Sequence, residues 1–201
     1  MSRVSPWLLD PFCIDSGSEP LLEIGFTASS RSRYAGERIV RLKTRKDVKL
    51  YTDGGCINNP GPGGYGIVLL YGTHRRELSG GFRRTTNNRM EIFAAIAGLE
   101  ALKEPCRVTL FSDSQYLVHA MQKGWARRWQ ASGWKRSSKE RALNPDLWER
   151  LLELCRVHEV RFEWVRGHAG EAENERCDEL ATAAARGGNR GIDEVYEKES
   201  P

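Results

Sequence analysis

Four acids stand where local pattern could bring carboxylates together. Asp53 ends an apolar run in Tyr51-Thr52-Asp53-Gly54-Gly55, and Glu91 lies near the start of a helical pattern. Asp113 follows Val108-Thr109-Leu110-Phe111-Ser112, and Asp178 lies within a late helical pattern. Carboxylates gathered from strand ends and helices raise one another's pKa, so such a cluster calls for cations. An oxygen-only donor set favours a hard divalent ion, Mg²⁺ before others. Taken singly, each acid also has a purely structural explanation. Asp-Gly at a strand end is a common turn pair. Glu91, three residues after Asn88, fits a capping box in the first turn of its helix. Ser112 or Asp113 suits the N-cap of a following helix. Asp178 borders a stripe of Cys177, Leu180, Ala181 and Ala184 and is equally well placed for solvent. Small residues one turn beyond Glu91, Ala94 and Ala95, are what a cap does not explain: they leave room for a strand end.

The elements that must position these acids are legible in the changing period. Residues 48–53 read as a strand, and after the Gly/Pro-rich turn at 58–64 the runs 65–71 and 76–82 read as two more, joined at Gly72. Three antiparallel strands are expected. From 90 to 103 the apolar residues take helical spacing. A strand at 107–112, a helix at 114–121, a helix at 145–157, a strand at 160–165 and a helix at 173–186 follow. Strands first and alternation later indicate an α/β protein with a mixed sheet and packed helices. Residues 1–46 show little periodicity and are expected to be a poorly ordered extension. Residues 47–187 form the single domain, and the acidic tail at 188–201 is expected to be loose.

Composition narrows the class. The chain has 201 residues and a net charge of +4. That mild excess matters only where it is concentrated, and it is concentrated at 123–141: Lys123, Arg127, Arg128, Lys135, Arg136, Lys139 and Arg141 stand against Glu140 alone, interleaved with Trp125, Trp129 and Trp134. The bland reading is an amphipathic helix anchored by tryptophans with solvated cations. Five cysteines with no C-x-x-C pair suggest neither a disulfide framework nor a thiolate zinc site. No apolar run approaches a membrane span or a signal peptide, which points to the cytoplasm and away from membranes.

Tyr51-Thr52-Asp53-Gly54-Gly55-Cys56, Asn59-Pro60-Gly61-Pro62-Gly63-Gly64-Tyr65-Gly66 and Thr85-Thr86-Asn87-Asn88-Arg89-Met90-Glu91 closely resemble motifs of the ribonuclease HI family. The resemblance continues in order through Ser112-Asp113-Ser114-Gln115-Tyr116, Trp164-Val165-Arg166-Gly167-His168-Ala169-Gly170 and residues 173–181, and spans about 48–186. It implies an RNase H-like fold with a five-stranded mixed sheet flanked by helices. It also implies endonucleolytic hydrolysis of RNA paired to DNA, leaving 5′-phosphate and 3′-hydroxyl ends. The metal-ligand role falls on Asp53, Glu91, Asp113 and Asp178, with two Mg²⁺ ions or, alternatively, Mn²⁺. His168, in a glycine-flanked loop, becomes a candidate proton shuttle.

The same resemblance assigns substrate contacts. Asn59, Asn87, Asn88 and Gln115 match positions that touch sugar-phosphate backbones and minor-groove edges, where amides suit 2′-hydroxyls. Thr86 and Asn144 match a DNA-phosphate pocket. The basic segment resembles the family's protrusion that grips the DNA strand, with Lys123, Trp125, Arg127, Arg128, Trp129, Lys135 and Arg136 as contacts. The expected partner is an RNA–DNA hybrid, bound by a monomer. Two rival readings are another nuclease of the same superfamily and a non-catalytic hybrid-binding module; the basic segment argues against the first, and the retained acids and His168 against the second. Gly55, Ile57-Asn58 and Glu171-Ala172 depart from the family pattern without touching a proposed metal ligand.

Overall fold

The computed structural model describes residues 44–199, so the reading of the extension falls, but for its last three positions, outside the described residues. Five strands make one sheet in the order β3-β2-β1-β4-β5. β1 (Asp47–Cys56), β2 (Gly61–Tyr71) and β3 (His74–Thr85) are antiparallel neighbours. β4 (Arg107–Ser112) and β5 (Glu159–Trp164) continue the sheet from β1 in parallel. The mixed sheet expected from the order of strands and helices is the one observed.

Alternation along the central strands divides the core in two. Leu50, Ile67 and Leu69 join one apolar cluster, while Tyr51 and Val68 join another with Cys177, because successive side chains point to opposite faces. The first face is covered by α1 (Asn87–Glu100), α2 (Gln115–Gln122) and α4 (Pro145–Val157), whose Ile92, Leu99, Leu117, Trp148 and Leu151 are fully buried. The second is covered by α5 (Ala172–Arg186). A Cβ on Gly66 would stand 2.1 Å from the Cys177 carbonyl oxygen, and one on Gly64 2.2 Å from that of Ala181. These two glycines let the α5 backbone rest directly on β2, next to β1, where Gly66 pairs with Asp53.

Two sequence readings change. The one amphipathic helix of the bland reading does not form across the basic segment: α3 (Trp125–Ala131) stops, and Gly133 and Trp134 turn to φ of 67° and 61°, which forces the chain out of helical geometry. The tail is not loose. Gly191 exchanges hydrogen bonds with the β3 edge, from Arg83 N–H at 2.9 Å and to the Gly81 carbonyl at 2.8 Å, and α6 (Glu194–Glu199) follows. Asp193, 7% exposed, accepts from Arg89 Nε at 2.6 Å and Nη2 at 2.8 Å and from the Thr85 hydroxyl at 2.9 Å. Arg89 also forms a two-pronged pair with Asp146 at 3.0 and 2.8 Å. One buried guanidinium therefore ties the starts of α1 and α4 to the tail.

Candidate active site

Asp53 lies in β1 on the α5 face, its carboxylate accepting from the Gly54 N–H at 2.7 Å. Gly54 points the other way, and a Cβ there would stand 2.3 Å from the Met90 carbonyl carbon. Close approach of β1 to α1 is thus made by a glycine in the strand, whereas Ala94 and Ala95 are fully buried in the core. Glu91 is not in the first turn of its helix: Thr86, rather than Asn88, is the N-cap, accepting from the Arg89 N–H at 3.4 Å. Released from capping, Glu91 is instead met by the Ser114 hydroxyl, which donates to Oε2. Ser114, not Ser112 or Asp113, caps α2, accepting from the Leu117 N–H at 3.2 Å. Asp113 is thereby left free of capping duty, and Asp178 is half-buried on α5.

Several of these acids act on one another's charge. Burial first, then the charges of Asp113 and Asp178, bring the Asp53 carboxyl up to about 6 against the opposing pull of the Gly54 N–H and His168. Glu91 is pushed up to about 7, chiefly by burial, with Asp53 and Asp113 adding to the rise and Ser114 opposing it. Among the described residues no group of three or more histidine, cysteine, aspartate or glutamate side chains is placed so that it could hold a metal ion. The acids are oxygen donors, and those whose charges reach one another each disfavour the other's ionised form. An oxygen-only donor set suits a hard divalent cation and suits a thiophilic metal poorly.

The other predicted residues lie in several separate places. Asn59 and Asn87 meet, the Asn59 side-chain Oδ1 accepting from the Asn87 backbone N–H at 3.1 Å. Asn88, Trp125, Trp129 and Arg136 line one cavity of about 440 Å³ with Tyr116, Ala142 and Leu143. Trp125 and Trp129 also pack on the core at ring separations of 6.4 Å from each other and, for Trp129, 5.9 Å from Trp148. The anchoring role expected of tryptophans and a place in an open groove coexist. Asn144 precedes α4 at a φ of 58°, and Gln115 is exposed beside Asp113. Lys123 sits 5.2 Å over the Trp125 ring, while Arg127, Arg128 and Lys135 project into solvent. His168 is exposed with a φ of 52°, in a loop whose Gly170 N–H donates to Glu175 at 3.1 Å.

Sequence reasoning passed over Ser114 and Asn174. Asn174 is 2% exposed and directs Nδ2 toward Asp113 Oδ2 at 3.5 Å. Its one signal in the sequence is its position four residues before Asp178, on the same side of a helix.

A mixed five-stranded sheet in the order β3-β2-β1-β4-β5, with Asp53 in β1, Asp113 after β4 and Glu91 and Asp178 on covering helices, defines an α/β architecture of the RNase H-like kind. Residues 45–186 match the RNase H family. The chain is 71% identical over 141 residues to "Ribonuclease H" of Syntrophus aciditrophicus, covering 70% of this chain and 82% of that protein. It is 58% identical over 156 residues to "Ribonuclease HI" of a Synechocystis species, covering 77% and 98%. Among solved structures it resembles LC9-RNase H1, described as a type 1 RNase H, at 34% identity and a TM-score of 0.66, covering 78% and 81%. It also resembles LC11-RNase H1 in complex with an RNA/DNA hybrid, at 25% identity and a TM-score of 0.53, covering 69% and 96%. The chain belongs to the ribonuclease H family, in its type 1 or ribonuclease HI branch, and is an endoribonuclease of that family.

Proposed function

We propose that this protein hydrolyses the RNA strand of RNA–DNA hybrids with two divalent cations, Mg²⁺ in the first place, held by Asp53, Glu91, Asp113 and Asp178. The observation that carries the reading is the pair of carboxyls raised to about 6 and 7 in an oxygen-only cluster, a charge arrangement that invites cations. Bound there, the pair would supply activation of a water and stabilisation of the leaving 3′-oxygen during in-line displacement at phosphorus. The chain's own residues do the rest. Ser114 holds Glu91 in place, and the Gly54 N–H holds Asp53. His168, on its exposed loop, moves a proton at the scissile phosphate with its imidazole.

Recognition follows from the predicted contacts. Asn59, Asn87, Asn88 and Gln115 meet 2′-hydroxyls and base edges, so RNA is told from DNA without strong sequence preference. Thr86 and Asn144 hold a DNA phosphate, and the cations of 123–136 grip the DNA strand through its phosphates. The hybrid-bound relative LC11-RNase H1 supports this substrate. The protein acts as a monomer in the cytoplasm, where the free thiols of Cys56, Cys106, Cys155 and Cys177 suit a reducing compartment.

The test is cleavage of an RNA-labelled hybrid, single-stranded RNA, duplex RNA and duplex DNA, each with Mg²⁺ or EDTA, beside Asp53→Asn. Mg²⁺-dependent cutting of the hybrid alone, absent in Asp53→Asn, is expected. A hybrid bound but left intact in Mg²⁺ and Mn²⁺ would make the chain a binding module.

A further inference from the structure

Asp113 follows the last residue of β4, and much of what surrounds it comes from β5, α5 and their connection. The Trp164 indole donates Nε1–H to the Asp113 carbonyl at 3.0 Å. A Cβ at Gly167 would stand 2.6 Å from Asp113 Oδ2, so the backbone beside His168 lies against the carboxylate and leaves no space for a side chain. Asn174 directs Nδ2 at the same oxygen from 3.5 Å. That distance is the outer limit of a hydrogen bond.

Asn174 is an expensive residue to bury for packing alone. It is 2% exposed, and its Oδ1 has no protein partner, whereas an apolar side chain there would leave nothing unsatisfied. What the amide adds is a neutral donor beside an acid. A lysine or arginine would orient Asp113 as well, but its charge would compete with a cation for the carboxylate. Asn174 also stands one helical turn before Asp178, so α5 presents an acid and an orienting amide from one side.

We infer that Asn174 is a positioning residue that orients the Asp113 carboxylate, and that with Trp164 and Gly167 it couples this orientation to the loop carrying His168. The inference rests on the reading of the four acids as the cation-holding hydrolytic centre. Residues that orient metal-holding side chains govern affinity and turnover without touching the reacting atoms.

Three measurements on the full chain test it: Mn²⁺ binding to the protein alone by calorimetry, kcat and KM for a labelled hybrid in saturating Mg²⁺, and the melting midpoint. Asn174→Ala should bind Mn²⁺ about tenfold more weakly and lose about tenfold in kcat, with KM held within about twofold because no hybrid contact is removed. Asn174→Asp keeps the shape but turns a repelling oxygen toward Asp113, so its kcat should fall at least as far. Wild-type kcat in Asn174→Asp overturns the inference, as does an Asn174→Ala protein changed only in its melting midpoint. Where Asn174→Ala does not fold, Asn174→Asp decides. A wild-type chain that cuts no hybrid defeats the activity itself, and the Mn²⁺ comparison then decides the role of Asn174 alone.

Discussion

At the scale of the residue, the balance of charge among the acids sets both stability and reactivity. Asp53 has its folded carboxyl near 6, against about 3.9 in an unfolded chain. A raised carboxyl binds its proton more tightly when folded, so ionising it works against the fold. The penalty is absent below about pH 4, grows as pH rises through the folded value, and is complete above it. Without metal, Asp53→Asn should therefore be more stable than wild type by about 1–3 kcal/mol at pH 8, with no gain at pH 4. Denaturant midpoints in EDTA at the two pH values measure this; equal stability at pH 8 would mean that the acids do not burden one another. Added Mg²⁺ should stabilise wild type more than Asp53→Asn, because binding to the folded state alone raises its stability. His168→Ala is expected to lower kcat while leaving hybrid affinity intact, read by single-turnover cleavage beside equilibrium binding. The acids and His168 stand out in the sequence because each lies in a motif with its own local order. Their partners were not: Ser114 reads locally as one of several possible caps, and its bond to Glu91 spans 23 positions.

At the scale of the element, the structure depends on where helices begin and on what ties their starts together. Arg89 is 4% exposed and Asp193 7%, so removing Asp193 leaves a buried guanidinium with Asp146 as its remaining carboxylate. Asp193→Ala should cost about 3 kcal/mol, measured by chemical denaturation. Arg83→Ala, which removes an exposed ion pair between β3 and Glu197 of α6, should cost far less. Similar losses from both substitutions would show that the tail is held by its edge contacts and not by the buried pair. This is also where sequence reading reached its limit. Strands 107–112 and helix 145–157 are fixed by local period and recur at the same bounds in β4 and α4. The tail has no such period. Its order comes from a pairing 104 positions away, and an acid in an acidic stretch carries no mark of its partner. The N-cap of α1 was misplaced for a related reason: Thr86, Asn87 and Asn88 are all capping types, and only the backbone turn at Thr86, with φ of −129° and ψ of 159°, selects among them.

At the scale of the whole molecule, a net charge of +4 is too small to draw a polyanion by itself, and its distribution decides the outcome. The exposed cations Arg127 and Arg128 stand on a short helix anchored by Trp125 and Trp129, so their place is fixed even though their heads are solvated. Arg128 further donates to the Lys123 carbonyl at 2.9 Å, which ties the start of the segment to its helix. Each phosphate neutralised by such a cation releases counterions and adds about 0.9 to the slope of log affinity against log salt. Replacing Arg127 and Arg128 together by alanine should lower that slope by up to about 2. Affinity should fall most at low salt, and kcat at saturating hybrid should stay as it was, since neither side chain reaches the acids. Hybrid binding in Ca²⁺ across a salt series, beside saturated turnover in Mg²⁺, separates the two effects. An unchanged slope would make these arginines solvated surface and move the grip on DNA to Lys123, Lys135 and Arg136. A loss of kcat with the slope intact would mean instead that α3 positions the acids through Trp148 and the core, and that its charge is incidental to binding.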